Sequence, residues 1–181
     1  MLRHISLSVL GLTAVVALAQ PALQAGQRAR ITTRGTVEAV VDGVHVAMEY
    51  GRPTTRGREI WGALVPWGRW WMPGADETTS IATDAPLMVG TLSMPAGTHT
   101  IYTLPTADAF TLIINKQTGQ FHTVYHPERD LGRVPMTLTT LAEPVEQMTF
   151  VVTPVAAGGG TLALRWDNRE YAVSLRAAGR D

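Results

Sequence analysis

From Thr36 onwards, apolar and polar residues alternate in short runs separated by turn residues, the period-two pattern of half-buried strands. TVEAVV (36–41) and VHVAMEY (44–50) flank Asp42-Gly43, a pair that readily takes the positive φ of a two-residue hairpin turn. In the second run Val44, Val46, Met48 and Tyr50 fall on one face, and His45, Ala47 and Glu49 on the other. Further along, TTSIAT (78–83), LMVG (87–90), TLSM (91–94), THTIYTL (98–104) and FHTVY (121–125) read as strands. So do VPMTLTTL (134–141), QMTFVVTP (147–154), TLALRW (161–166) and YAVSLR (171–176). FTLIIN (110–115) is almost continuously apolar and β-branched, which marks a buried central strand. About ten short strands, close turn signals and no amphipathic helical period predict an all-β fold, an antiparallel β-sandwich of jelly-roll type.

One stretch breaks the alternation. Gly51 to Thr79 follows neither the strand nor the helix period and reads as one long structured loop. Loops of this length inside a compact domain are functional or packed on themselves. This one holds four of the five tryptophans (Trp61, Trp67, Trp70, Trp71) and the arginines Arg52, Arg56, Arg58 and Arg69.

The first residues form a different unit. Arg3 and His4 supply a cationic start, Ile5 to Leu18 an apolar run, and Ala17-Leu18-Ala19 a small-x-small cleavage site. Residues 1–19 therefore read as a signal peptide. A flexible arm is expected over 20–35, one β-sandwich domain over 36–176 and a tail over 177–181. The expected location is periplasmic or secreted, with no stable membrane anchor after cleavage, because the apolar run is shorter than a bilayer span. With no cysteine, the chain has no disulfide, thiolate metal ligand or cysteine nucleophile, so a packed core must stabilise it. A formal charge of zero, with one lysine (Lys116) among fifteen basic residues, speaks against nucleic acid as a partner.

The loop concentrates the candidate chemistry. Arg52 is extended by the following Pro53, and Arg56 and Arg58 flank Gly57. Guanidinium forks at Arg52 and Arg58 suit an anionic or polyol ligand, or else clamp Asp76, Glu77 or loop carbonyls. Trp61, Trp67, Trp70 and Trp71 form either a stacking wall for a ligand or a plug of the core, and the adjacent Trp70 and Trp71 point apart if extended. Asp76 and Glu77 diverge in the same way, so any two-carboxylate chemistry needs a partner from elsewhere. Among His45, His99, His122 and His126, no spacing matches a zinc site; His122 and His126 lie about 13 Å apart along a strand. No metal and no cofactor are expected, and no nucleophile elbow, HExxH, phosphate loop or dinucleotide fingerprint occurs. The first functional expectation is a binding domain for a small-molecule or carbohydrate ligand, held by Arg52, Arg58, the four tryptophans, Asp76, Glu77 and His99. Its alternatives are a periplasmic hydrolase using Asp76, Glu77 and His99, and a structural envelope module with the loop as a core plug.

These motifs also carry a family resemblance. RPTTRGREIWGALVPWGRWWMPGADETT, PAGTHTIYTLP and FTLIIN, followed by RDLGRVPM, PVEQMTF and LALRWDN, resemble the exported bacterial domain-of-unknown-function family 2911 from about Thr36 to Leu175. The resemblance implies the fold and the position of a site in the loop, with no activity attached. Met72, Asp76 and His99 stand where the family pattern has Arg, Asn and Tyr.

Overall fold

The computed structural model describes residues 32–179. The signal segment, the arm as far as residue 31, and residues 180–181 lie outside the described residues. The strands are β1 (Thr33–Val41), β2 (Val44–Arg52), β3 (Ser80–Thr83), β4 (Leu87–Val89), β5 (Leu92–Met94) and β6 (Gly97–Pro105). They continue with β7 (Phe110–Asn115), β8 (Asp130–Pro154) and β9 (Gly160–Ala177), and a single 3₁₀ turn at Pro127–Arg129 is the only helical element among the described residues. All pairings between strands are antiparallel, in the order β1-β2-β3-β6-β7-β8-β9-β4-β5. The all-β antiparallel class is therefore what the alternation predicted.

The hairpin forms at Asp42-Gly43, with Val41 paired to Val44 and both turn residues at positive φ (52° and 87°). The Asp42 carboxylate also accepts hydrogen bonds from the Gly159 and Ala177 amides at 2.6 and 3.1 Å, tying the turn to both ends of β9. Along β2, Val44, Val46, Met48 and Tyr50 are buried, and His45, Ala47 and Glu49 are exposed. β1 opens at Thr33, so the last residues assigned to the arm are already paired with the end of β2.

Two corrections concern strand number and length. β8 runs 25 residues and β9 18, each joining two segments that the sequence separated. Pro144 and Asp167-Asn168 look like turn signals, yet they sit where the β8–β9 register shifts, near Val145. Bulges bend a strand without ending it, and they accommodate both a proline and the positive φ of Asp167 (50°). The bends roll the sheet, bringing β1 against β8 and β9, and β5 against β8. FHTVY is the other correction. It forms no strand; its backbone turns at Phe121–Val124, and its polar groups bond to neighbouring loops.

The main core fills the rolled sheet with Val46, Met48, Ile81, Ile101, Leu112, Ile114, Phe150, Leu164 and their neighbours. The outer face of β6 and β7 carries a second cluster, in which Tyr102 and Ile113 pack with Met72. β7 is thus covered on both faces, which explains its unbroken apolar run. Ile113→Ala should cost about 2–5 kcal/mol in urea unfolding, since Ile113 is 1 % exposed. A loss under about 0.5 kcal/mol would show that the outer cluster is not packed.

Candidate functional site

Residues 53–79 join β2 to β3 without a strand of their own, yet their backbone is bonded outward along its length. The Thr55 amide donates to Glu146 O, the Met148 amide to Pro53 O, and the Gly68 amide to Pro105 O, at 2.8–2.9 Å. Trp71 and Thr103 exchange amide–carbonyl bonds of 2.8 Å along the edge of β6 that β3 leaves open. Such partners are what a backbone packed on a sheet requires. Gly51 lets the loop rest directly on β2, because a Cβ there would lie 2.2 Å from Ala75 O. Thus fastened, the loop drops Ile60, Trp61 and Val65 into the main core.

Trp61, 8 % exposed, meets five other rings: Trp67, Trp71, Phe110, Trp166 and Tyr171, with centroids 5.2–6.5 Å away. The Arg169 guanidinium lies 5.8 and 5.2 Å from the ring centroids of Trp61 and Trp67. Trp71 also stacks on Trp166 at 6.1 Å. Trp70, 39 % exposed, packs instead on Tyr125 and Tyr102 over the outer cluster. The adjacent tryptophans do diverge, each into its own aromatic stack.

The charged residues separate as well. Arg52 turns to β8, donating to Met148 O at 3.3 Å and Thr149 Oγ1 at 2.9 Å. Arg58 closes on its own loop, with Nε bonded to Thr55 O at 2.9 Å and Nη2 to Thr54 O at 2.6 Å. Glu77 pairs with Arg34, whereas Asp76 accepts from Thr32 Oγ1 at 2.6 Å. Glu146 holds the loop from β8: its carboxylate accepts the Thr55 hydroxyl and, at 3.0 Å, the Arg56 amide. Those two bonds, the hydroxyl first, hold the Glu146 carboxyl below the usual range. His99 is buried in β6, opposite Ile81, with Nδ1 unbonded.

A cleft of about 610 Å³ opens over this loop. Of the residues expected at a site, Arg58, Trp70, Trp71 and Asp76 line it, while Arg52, Trp61, Trp67, Glu77 and His99 do not. Arg56, Leu64, Met72, His122, Thr123 and Trp166 complete the lining with Thr32, Pro53, Thr54, Gly74 and Ala75. His122 arrives from the β7–β8 connection. Asn115 anchors that connection through His126 O and Asp130 Oδ1, both at 2.9 Å, and Tyr102 Oη donates to Val124 O at 2.6 Å. In the same region, burial foremost and then the Asp130 carboxylate push the Tyr125 hydroxyl up to about 12. His122 Nδ1 lies 2.7 Å from Asp76 O. A carbonyl only accepts, so Nδ1 carries the proton, and in the tautomer this selects Nε2 is an acceptor. Among the described residues, no group of three or more metal-ligating side chains converges.

The model of one protein family, described as "Protein of unknown function (DUF2911)", matches residues 32–175. No curated protein and no solved structure matches the chain.

Two variants test these assignments. Arg58 fastens carbonyls rather than a carboxylate, so Arg58→Ala should cost about 1 kcal/mol in thermal unfolding. Adding Asp76→Asn should restore none of that loss; restoration would reveal a hidden Arg58–Asp76 pair. For His99, burial lowers the imidazole from its ordinary 6.5, opposed in part by the nearby Gly97 backbone. Between 6.5 and the lower folded value, the unfolded chain binds the extra proton, so stability falls as pH falls through that window. Above it His99 contributes no pH dependence. The Tm should drop on acidification from about pH 8 to pH 5, and less steeply in His99→Phe. Identical slopes would show that His99 is protonated as easily folded as unfolded.

Proposed function

We propose that this chain, which belongs to the DUF2911 family, is an exported binding domain that takes a small polar ligand of sugar-like shape in the cleft. The observation that carries the reading is the make-up of that cleft. Its volume of about 610 Å³ is in the range of small-ligand sites, with Trp70, Trp71 and Trp166 beside Arg56, Asp76 and His122. Aromatic faces suit the apolar faces of a sugar ring, and polar groups at the margin fix its orientation. The cationic and apolar segments before Gln20 support export.

Hydrolysis is a second reading, and one observation favours it: the acceptor Nε2 of His122 in a cleft that also holds Asp76. The trio Asp76, Glu77 and His99 does not support it, because Glu77 pairs with Arg34 and His99 lies outside the cleft. The two readings separate with one panel of neutral and acidic mono- and oligosaccharides and chromogenic glycosides and esters. Calorimetry and tryptophan fluorescence should detect saccharide binding, weakened by about 1 kcal/mol in Trp70→Ala, with no chromophore released. Release abolished by His122→Gln would favour the hydrolase. No heat, no fluorescence change and no release across the panel would sink both.

A further inference from the structure

Four non-glycine residues among those described have positive φ: Asp42, Arg56, Asp76 and Asp167. Asp42 lies in a hairpin turn and Asp167 at the bend of β9, where such a conformation serves the chain's path. Arg56 (φ 50°) and Asp76 (φ 68°) both line the cleft. At Arg56 the conformation serves a turn as well, since Arg56 and Gly57 (φ 67°) are the central pair of a turn closed by the Arg58 amide on Thr55 O at 3.0 Å. Arg56 is kept there from outside, by its amide bond to the Glu146 carboxylate and by the Thr55 hydroxyl on the same group.

The remaining hydrogen-bonding capacity is sorted by type. The Arg56 Nε donates to Thr54 Oγ1 at 3.2 Å, while its two terminal nitrogens have no partner among the described residues. Neighbouring charges leave that fork available: Glu146 is occupied by the loop, and Arg58 by two carbonyls. Asp76 has Oδ2 on Thr32 and His122 has Nδ1 on the Asp76 carbonyl, which leaves Oδ1 and Nε2, two acceptors. The cleft thus offers a bidentate cationic donor and a pair of acceptors beside tryptophan rings.

Building on the binding reading above, we propose that the ligand is a polyhydroxylated carboxylic acid, of the uronic-acid class. Its carboxylate takes the Arg56 fork, its hydroxyls donate to Asp76 Oδ1 and His122 Nε2, and its ring lies along the tryptophans. A neutral sugar leaves the fork unpaired; an aromatic acid leaves the acceptors without donors.

Calorimetry with glucuronate, glucose and benzoate tests this on the full mature chain. Glucuronate should bind about tenfold or more tightly than glucose or benzoate, the scale of a charge-assisted bond. Arg56→Gln, which keeps the backbone and should keep the Tm, should bring glucuronate down to the level of glucose. Asp76→Asn should weaken glucuronate and leave benzoate unaffected. Equal binding of glucose and glucuronate, indifferent to Arg56→Gln, would overturn the acid and leave the binding reading standing. Benzoate matching glucuronate would overturn the requirement for hydroxyls. Binding of other saccharides alone would overturn the uronate class while keeping the cleft.

Discussion

The ring of Trp61 is the contact on which sheet and loop depend together. It reaches Phe110 from β7, Trp166 and Tyr171 from β9, and Trp67 and Trp71 from its own loop. A single indole therefore bonds no strand yet fixes where three parts of the chain meet. Aromatic pairs of this kind add roughly 0.5–1.5 kcal/mol each beyond the area they bury. Trp61 Nε1 is nevertheless buried without a hydrogen-bond partner, a penalty that the surrounding contacts must outweigh. Glu146 holds the start of the same loop through polar bonds, near the residues that shift the β8–β9 register. Polar bonds at Thr55 and Arg56 and apolar contacts at Ile60, Trp61 and Val65 together fasten the loop to the sheet.

That fastening decides which loop residues remain available. Arg52 and Arg58 are taken up by carbonyl and hydroxyl oxygens, and Glu77 by Arg34. Arg56 gives its amide to Glu146 and its Nε to Thr54 Oγ1, and only the two terminal nitrogens of its guanidinium are left over. The bends in β8 and β9 matter here too. They bring Glu146 to the loop and Trp166 to the cleft, where Trp166 stacks beneath Trp71 and donates its Nε1–H to Glu146 O at 3.3 Å.

What was legible in the sequence is what local chemistry controls. Asp42-Gly43 imposes its turn, the alternation of Val44 to Tyr50 imposes a face, and FTLIIN is apolar because sheet neighbours and loop cover it on both sides. The divergence of Trp70 and Trp71 follows from backbone geometry alone. The merging of the last four expected strands into two was not legible, since Pro144 and Asp167-Asn168 signal a turn and a bulge alike. Of the residues that line the cleft, Arg58, Trp70, Trp71 and Asp76 were among those expected, because the loop itself is conspicuous. His122 and Trp166 come from parts of the chain whose local pattern is that of ordinary strands, and only tertiary bonds bring them to the cleft. For Arg56 the sequence held half a signal, the adjoining Gly57. It gave no means of seeing that Glu146, ninety positions away, would hold the arginine's backbone.

Plugging the core and lining the cleft are not competing descriptions of this loop. Burial of Trp61 and Val65 packs the loop on the core, while backbone bonds at Thr55, Gly68 and Trp71 fasten it to β6 and β8. Only a backbone with one conformation keeps a guanidinium fork and a carboxylate at fixed positions without a large loss of entropy on binding. Trp71 shows the overlap directly, since one indole stacks in the buried aromatic cluster and also lines the cleft. The residues that seal the core are thus the ones that give the cleft a definite shape, which is why neither role could be separated from the other in the sequence.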